Sequence, residues 1–431
     1  MRLEDSVARC ASLLAEAERL LAERAPDGGD EAALRLETLD DALLAAWTAA
    51  ERARPASRAA AARLEDFLFY RRGLLRRLAR SGVRVGPGLL ASLFRGSAGR
   101  RMFVFVTHAC QLRCSYCHVA KDSRRMPDEV VDAGVRLMLR SLRSEVEFHF
   151  FGGEPMLAFD AVRRATLLAR RLGARAGKTT RFLLTTNGLD LGDDELLFLQ
   201  EHRFSLEFSC DGARDAQLAQ RATAGKGDYY ARLSANLARL RGAGVPYVVI
   251  TVVMPGDAGS LLERFRYLAG LGHRRIQVNY ALGSLWDEAS RAEFFRQMSE
   301  AARWARGEGI EFVNLTASRR EPVILNGDLT LDCDGSLFRG PVLFDGALTR
   351  SSDGRPLGAR SEAARSRSYR EVQRLFRADR VERALLPDYY GATPFDNFVS
   401  LCRAYRSRPR ARAVVLDNVE MGLLSRGLPA L

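Results

Sequence analysis

Thr107–His118 reads THACQLRCSYCH and places three cysteines, Cys110, Cys114 and Cys117, at the end of an apolar, strand-like run at about 102 to 108. Iron–sulfur clusters usually take four cysteine thiolates, so a compact set of three with no fourth close by leaves one iron for a substrate or cofactor. A zinc site and three ordinary core cysteines are the competing readings of the same spacing.

The stretches that follow decide the fold class. Further strand-like runs lie at about 146 to 151, 181 to 186, 204 to 209, 247 to 253 and 275 to 280. Amphipathic helical stretches, such as 127 to 143 and 227 to 241, separate them. Six β/α units joined by right-handed crossovers make a parallel sheet, so the expected fold is α/β, a partial (β/α)6 TIM-like barrel. Alternation puts Ser205, Glu207 and Ser209 on one face of their strand and Leu206 and Phe208 on the other. With Thr185, Asn187, Gln277 and Asn279, the polar set would line a lumen. An exposed sheet face explains Gln277 and Asn279 equally well.

Three of these runs also end in a polar motif, at the carboxyl ends of strands where α/β folds place their ligand sites. VEFHFFGGEP ends in Gly152, Gly153, Glu154 and Pro155, RFLLTTNG reaches Asn187, and FSLEFSCDG carries Ser209 and Asp211. Arg221 follows in QRATAGKGDYY. The Cys-x3-Cys-x2-Cys spacing with Tyr116 before the last cysteine, followed by these motifs in this order, resembles the radical S-adenosylmethionine (SAM) superfamily. The GGEP turn and SxDG resemble in particular its sulfatase-maturase and peptide-maturase branch with a SPASM-like C-terminal extension.

The resemblance implies a [4Fe-4S] cluster on Cys110, Cys114 and Cys117, with SAM on the open iron and its reductive cleavage to a 5′-deoxyadenosyl radical. It implies that Gly152, Gly153 and Glu154 serve the SAM amino group, that Arg221 pairs with the SAM carboxylate, and that Tyr116, Asn187, Ser209 and Asp211 complete the cofactor site. The substrate it implies is a peptide or protein. A small metabolite is the alternative, and a non-catalytic Fe–S partner subunit a third. Cys333 and Cys210 are candidate hydrogen-atom donors, and His149 and Glu207 candidate proton-handling groups. Burial accounts for a free cysteine or a hydrogen-bonded histidine without any such role. His118, after the last cysteine, is read in the same two ways.

The chain of 431 residues has room for one large α/β domain and smaller pieces. Its formal charge of +13 comes from 66 basic residues of which only Lys121, Lys178 and Lys226 are lysine. That arginine bias, with abundant alanine, points to coding bias rather than nucleic-acid binding. A basic surface suits an acidic electron donor such as a flavodoxin or ferredoxin. No apolar stretch approaches the ~18 residues of a membrane span, and no basic-then-apolar leader is present, so the expectation is a cytoplasmic protein. Seven cysteines, three of them in one motif, make no paired disulfide framework.

Residues 1 to 98 read as an all-helical N-terminal domain, 99 to 320 as the radical SAM core, and 321 to 431 as a small, reduced C-terminal extension. The helical segment FLFYRRGLLRRLARSG is either a docking helix for an acidic partner or a solvated arginine-rich face. Residues 322 to 345 alternate like a hairpin. The extension departs from what the resemblance implies, several further cysteines there; after the core this chain has only Cys333 and Cys402. Two thiolates cannot hold a four-iron cluster unaided.

Overall fold

The computed structural model describes residues 101–117, 119, 121–141, 143–223, 227–316, 328–339 and 365–367, and residues 414, 417, 418 and 421. The expected helical domain over 1 to 98, the arginine-rich helix within it, His118, Cys402 and most of the extension lie outside the described residues.

The described chain alternates strands and helices as the periodicity predicts. In order come β1 (Arg101–Thr107), β2 (Leu112–Cys114), α1 (Asp128–Leu139), β3 (Glu145–Gly152), α2 (Phe159–Arg175), β4 (Thr179–Thr186), α3 (Asp193–Glu201) and β5 (Phe204–Ser209). Then follow α4 (Arg214–Gln220), β6 (Arg221–Thr223), α5 (Tyr230–Gly242), β7 (Tyr247–Val253), α6 (Leu261–Gly270), β8 (Arg275–Tyr280), α7 (Glu288–Gly307) and β9 (Glu311–Phe312). The main sheet runs β1-β3-β4-β5-β7-β8-β9, every neighbouring pair parallel. This is the partial TIM-like α/β fold, with the short β9 added at one edge.

The opposite edge is closed by the extension. Strand β10 (Leu329–Leu331) pairs in parallel with β1, and β11 (Leu337–Arg339) and β12 (Arg365–Arg367) continue the sheet in antiparallel order. The hairpin expected within 322 to 345 is β10–β11. It turns at Gly335, whose φ of 76° suits glycine, with the Gly335 amide donating to Asp332 O at 2.9 Å. Leu329, Leu331 and Leu337 lie in the main hydrophobic core. Helix α1 meets β10 at Gly134, where an added Cβ would stand 2.3 Å from Leu331 Cδ2. The sequence boundary at 320 therefore falls inside one continuous sheet.

Alternation along the strands separates the two faces. Phe148 and Phe150 of β3, Phe182 of β4 and Phe204 of β5 are buried on the helix-facing side. Their rings form a cross-strand stack, Phe182 lying 6.0 Å from Phe148, 6.4 Å from Phe150 and 5.2 Å from Phe204 between centroids. The Arg170 guanidinium of α2 covers the Phe182 ring at 4.9 Å. On the opposite face stand Phe103, Phe105, His149, Phe151, Thr185 and Glu207, the inner wall of the partial barrel. Because Phe182 is the shared member of the stack, Phe182→Ala should cost about 3–5 kcal/mol of stability. Chemical denaturation checks this, and a loss under 1 kcal/mol would show that the stack is not a core element.

Candidate functional site

The cysteine loop is shaped by backbone bonds that only glycine permits. The amides of Gly153 and Glu154 donate to Thr107 O at 2.7 Å and Ala109 O at 2.8 Å. A Cβ on Gly153 would meet Ala109 O at 2.1 Å and His108 O at 2.5 Å; one on Gly152, at φ 132°, would meet Thr107 O at 2.3 Å. The glycine pair, which the resemblance assigns to the SAM amino group, thus makes its close backbone approach, in the described structure, to the cysteine loop itself. On its other side the loop enters a two-stranded ladder in which Cys114 of β2 stands opposite Arg221 of β6. The Ser115 amide extends that ladder by donating to Gln220 O at 2.8 Å.

Three half-buried thiols result, and their surroundings fit a cationic metal cluster. Burial pushes the Cys110 thiol up and that of Cys114 up to about 12, so the protein alone does not ionise them. Donors nonetheless face the sulfurs: Leu112 N lies 3.4 Å and Asn187 Nδ2 3.8 Å from Cys110 Sγ. The ammonium of Lys121 lies against Cys117, and its charge acts on all three thiols. A bound metal supplies the positive charge that holds such thiols deprotonated. The remaining described cysteines are engaged elsewhere, Cys210 Sγ with Gly212 O at 3.8 Å and Cys333 Sγ with Phe105 O at 2.9 Å. Burial raises the pKa of both.

Glu154 is fully buried beside this loop. Its Oε1 accepts from Thr186 Oγ1 at 2.8 Å and Met156 N at 3.1 Å, and its Oε2 from Asn187 N at 2.7 Å. Burial outweighs these bonds and lifts the carboxyl to about 7. Asn187 reaches back to Gln111 Oε1 at 3.1 Å, tying the end of β4 to the loop.

Asp211, Tyr116 and Arg221 form a second buried group. Asp211 Oδ2 accepts from Tyr116 Oη at 2.6 Å and Arg221 Nε at 2.7 Å, and Oδ1 accepts from Arg221 Nη2 at 3.1 Å and Val252 N at 2.9 Å. The guanidinium also lies 5.2 Å from the centre of the Tyr116 ring. The Nε–Nη2 edge of Arg221, the residue that the resemblance pairs with the SAM carboxylate, is therefore spent on Asp211. Ser209 is half-buried at the inner end of β5.

Deeper in the barrel, His149 Nε2 bonds Thr185 Oγ1 at 2.7 Å, and that hydroxyl donates to Glu207 Oε2 at 2.7 Å. Burial raises the Glu207 carboxyl. These two sequence candidates are thus brought together, whereas Cys210 and Cys333 are not. On β8, Gln277 Nε2 donates to Asn279 Oδ1 at 2.8 Å.

Two features escaped the sequence analysis. Lys121 carried only a faint signal, a rare lysine in an arginine-rich chain four residues after Cys117. His108 carried none: its Nε2 bonds Asp332 Oδ1 of the extension hairpin at 2.6 Å, with Arg124 Nη2 3.2 Å from Nδ1. Arginine only donates, so Nδ1 accepts and Nε2 bears the proton. Although His108, Asp332 and Cys333 cluster at metal-ligand spacing, that tautomer turns a proton, not a lone pair, toward them.

Residues 104–268 match the family model described as the radical SAM superfamily. They are a radical SAM domain. A cysteine-type anaerobic sulfatase-maturating enzyme of Clostridium perfringens is 25% identical over 194 residues, 43% of this chain and 52% of that protein. A serine-type anaerobic sulfatase-maturating enzyme of Klebsiella aerogenes is 27% identical over 179 residues, 39% of this chain and 43% of that protein. The chain thus spans about half the length of the curated relatives it matches. The solved structure of native anSMEcpe with bound AdoMet and Kp18Cys peptide aligns with a TM-score of 0.50 at 18% identity, over 56% of this chain and 73% of that one. It shares the fold of the radical SAM domain. No helix among the described residues is long and apolar enough to cross a membrane.

Gly153→Ala forces a Cβ into the loop backbone and should cost about 1–3 kcal/mol, with loss of bound iron. Iron content and melting temperature equal to wild type would show that the loop can yield. Glu154 supplies a pH test. Folding raises its carboxyl from 4.5 to about 7, so the folded state holds more protons between those limits and the stability from this group falls as pH rises through about 7. Melting of the SAM-free protein from pH 5 to 8 should show that decline, and Glu154→Gln should flatten it; an identical slope in the variant refutes the assignment.

Proposed function

We propose that the protein is a radical SAM enzyme that reductively cleaves S-adenosylmethionine and modifies a peptide or protein. The observation that carries this reading is the set of three half-buried thiols on one loop, Cys110, Cys114 and Cys117, bounded by the Glu154 carboxylate just past the end of β3 and by Arg221, which stands opposite Cys114 in the β2–β6 ladder. A four-iron cluster on those thiols would supply the electron that splits SAM to a 5′-deoxyadenosyl radical.

The chain's own residues then have defined tasks. Cys110, Cys114 and Cys117 hold the cluster, and Leu112 N and Asn187 Nδ2 donate toward Cys110 Sγ. Gly152 and Gly153 fix the loop. Glu154 is placed to receive an ammonium, which favours its ionised form despite burial. Arg221 is the cation for the SAM carboxylate, and Asn187 and Ser209 offer polar atoms nearby. The inner wall, with His149, Thr185 and Glu207, faces the volume where a substrate C–H would lie. A flavodoxin or ferredoxin is the expected electron donor.

The names of the sulfatase-maturating relatives support a peptide or protein substrate. A small metabolite is the second reading, favoured by the scarcity of cysteines outside the motif. A non-catalytic Fe–S subunit would bind iron and release no 5′-deoxyadenosine.

Anaerobically reconstituted protein should hold about four irons per chain and release 5′-deoxyadenosine from SAM with reductant; the Cys110, Cys114 and Cys117 triple alanine variant should do neither. Eight irons would contradict the single-cluster reading. Offered a tryptic digest of perdeuterated protein, the enzyme should form 5′-deoxyadenosine bearing one deuterium. Label taken up only from a perdeuterated small-molecule extract would favour the metabolite reading.

A further inference from the structure

The resemblance assigns Asp211 to the SAM site, but its surroundings leave it no free valence. A carboxylate offers about four acceptor positions. Tyr116 Oη and Arg221 Nε take two on Oδ2, and Arg221 Nη2 and Val252 N take two on Oδ1. The side chain is fully buried, with 0% exposure. A ligand atom could reach it only by displacing one of these donors into a space without water.

The bonds form a closed circuit. Asp211 N donates to Gln217 Oε1 at 2.7 Å, Gln217 Nε2 donates to Tyr229 Oη at 3.2 Å, and Tyr229 Oη donates to Arg221 O at 2.7 Å. Arg221 is thereby held by its carbonyl and by one edge of its guanidinium. Its Nη1 edge makes no hydrogen bond among the described residues. Arg221 also stands opposite Cys114 in the β2–β6 ladder, and Tyr116 lies between Cys114 and Cys117 in the chain.

We infer that Asp211 is a positioning residue rather than a SAM contact: it locks Tyr116 of the cysteine loop and Arg221 of β6 to the ends of β5 and β7, so that Arg221 presents its Nη1 edge to the SAM carboxylate in fixed register with the cluster thiols. This rests on the SAM-binding reading above.

Charge and geometry make opposite predictions for Asp211→Asn. If Asp211 merely screened Arg221, its neutralisation would strengthen attraction for an anionic ligand; if it positions Arg221, the same change weakens binding. Calorimetry with SAM on the reconstituted protein should show a dissociation constant raised about tenfold, the scale of one charge-assisted hydrogen bond. Tyr116→Phe removes a single donor and covers the case in which Asp211→Asn does not fold. It should weaken SAM binding and alter the SAM-induced change in the reduced cluster's electron paramagnetic resonance spectrum, while iron content stays at the wild-type value and the protein remains folded with a modestly lower melting temperature. The double variant should bind no worse than Asp211→Asn alone. Unchanged or tighter SAM binding by folded Asp211→Asn, or by Tyr116→Phe where the former does not fold, overturns the positioning role alone. Failure of the wild type to bind SAM overturns the enclosing reading as well.

Discussion

A carboxylate removed from water must have its charge answered on both oxygens, and around Asp211 that requirement draws four segments of chain to one point. The cysteine loop supplies a phenol, β6 a guanidinium and β7 an amide, while Asp211 itself stands two residues past the end of β5. Breaking such a buried pair from one side typically costs about 3–5 kcal/mol, so the four segments are not independently mobile. The glycine pair does the equivalent task on the other flank, through backbone bonds that any Cβ would obstruct. Between these two fastenings the loop has little freedom, and the thiols are preorganised before any metal arrives.

The strands were legible because their inner and outer faces differ in polarity, which gives an alternation a single sequence displays. All six expected runs became strands, the last three with the expected ends and the first three with ends moved by at most two residues. Strand β9 is two residues long and too short for periodicity, and β10 gains its place by pairing with β1 across more than two hundred residues, which no local pattern encodes. The site was legible in its residue types and only partly in its pairings. The three cysteines sit on one loop, whereas Tyr116 and Asp211 are separated by 95 positions and Asn187 and Cys110 by 77. Sequence assigned Asp211 and Arg221 both to the ligand; which of them faces another protein group is a property of burial, visible only once the strands are assembled.

The inner wall shows the same distinction between type and arrangement. Glu207 on β5, Thr185 on β4 and His149 on β3 are neighbours because the parallel register sets Thr185 opposite Glu207 and leaves His149 one strand further. The threonine hydroxyl donates to the carboxylate and accepts from the imidazole, so the three groups share one polarity from His149 toward Glu207. A chain of this kind holds the Glu207 carboxyl by hydrogen bonds within a largely aromatic wall. Phe103 lies 4.6 Å from the His149 ring and Phe151 5.8 Å, which keeps water from the imidazole side.

A partial barrel leaves its first strand with an unpaired edge, and exposed edges of this kind invite pairing with other chains. Here the extension fills it: β10 lies parallel to β1, buries Leu329 and Leu331 in the main core, and delivers Asp332 to His108 two residues before Cys110. The bond is directional, since Arg124 on Nδ1 fixes the proton on Nε2 and makes Asp332 the acceptor. A carboxylate receiving a histidine proton braces the cysteine loop. What Asp332 and β10 contribute is a strand and an anchor, so the scarcity of cysteines there does not make this part of the chain dispensable to the site.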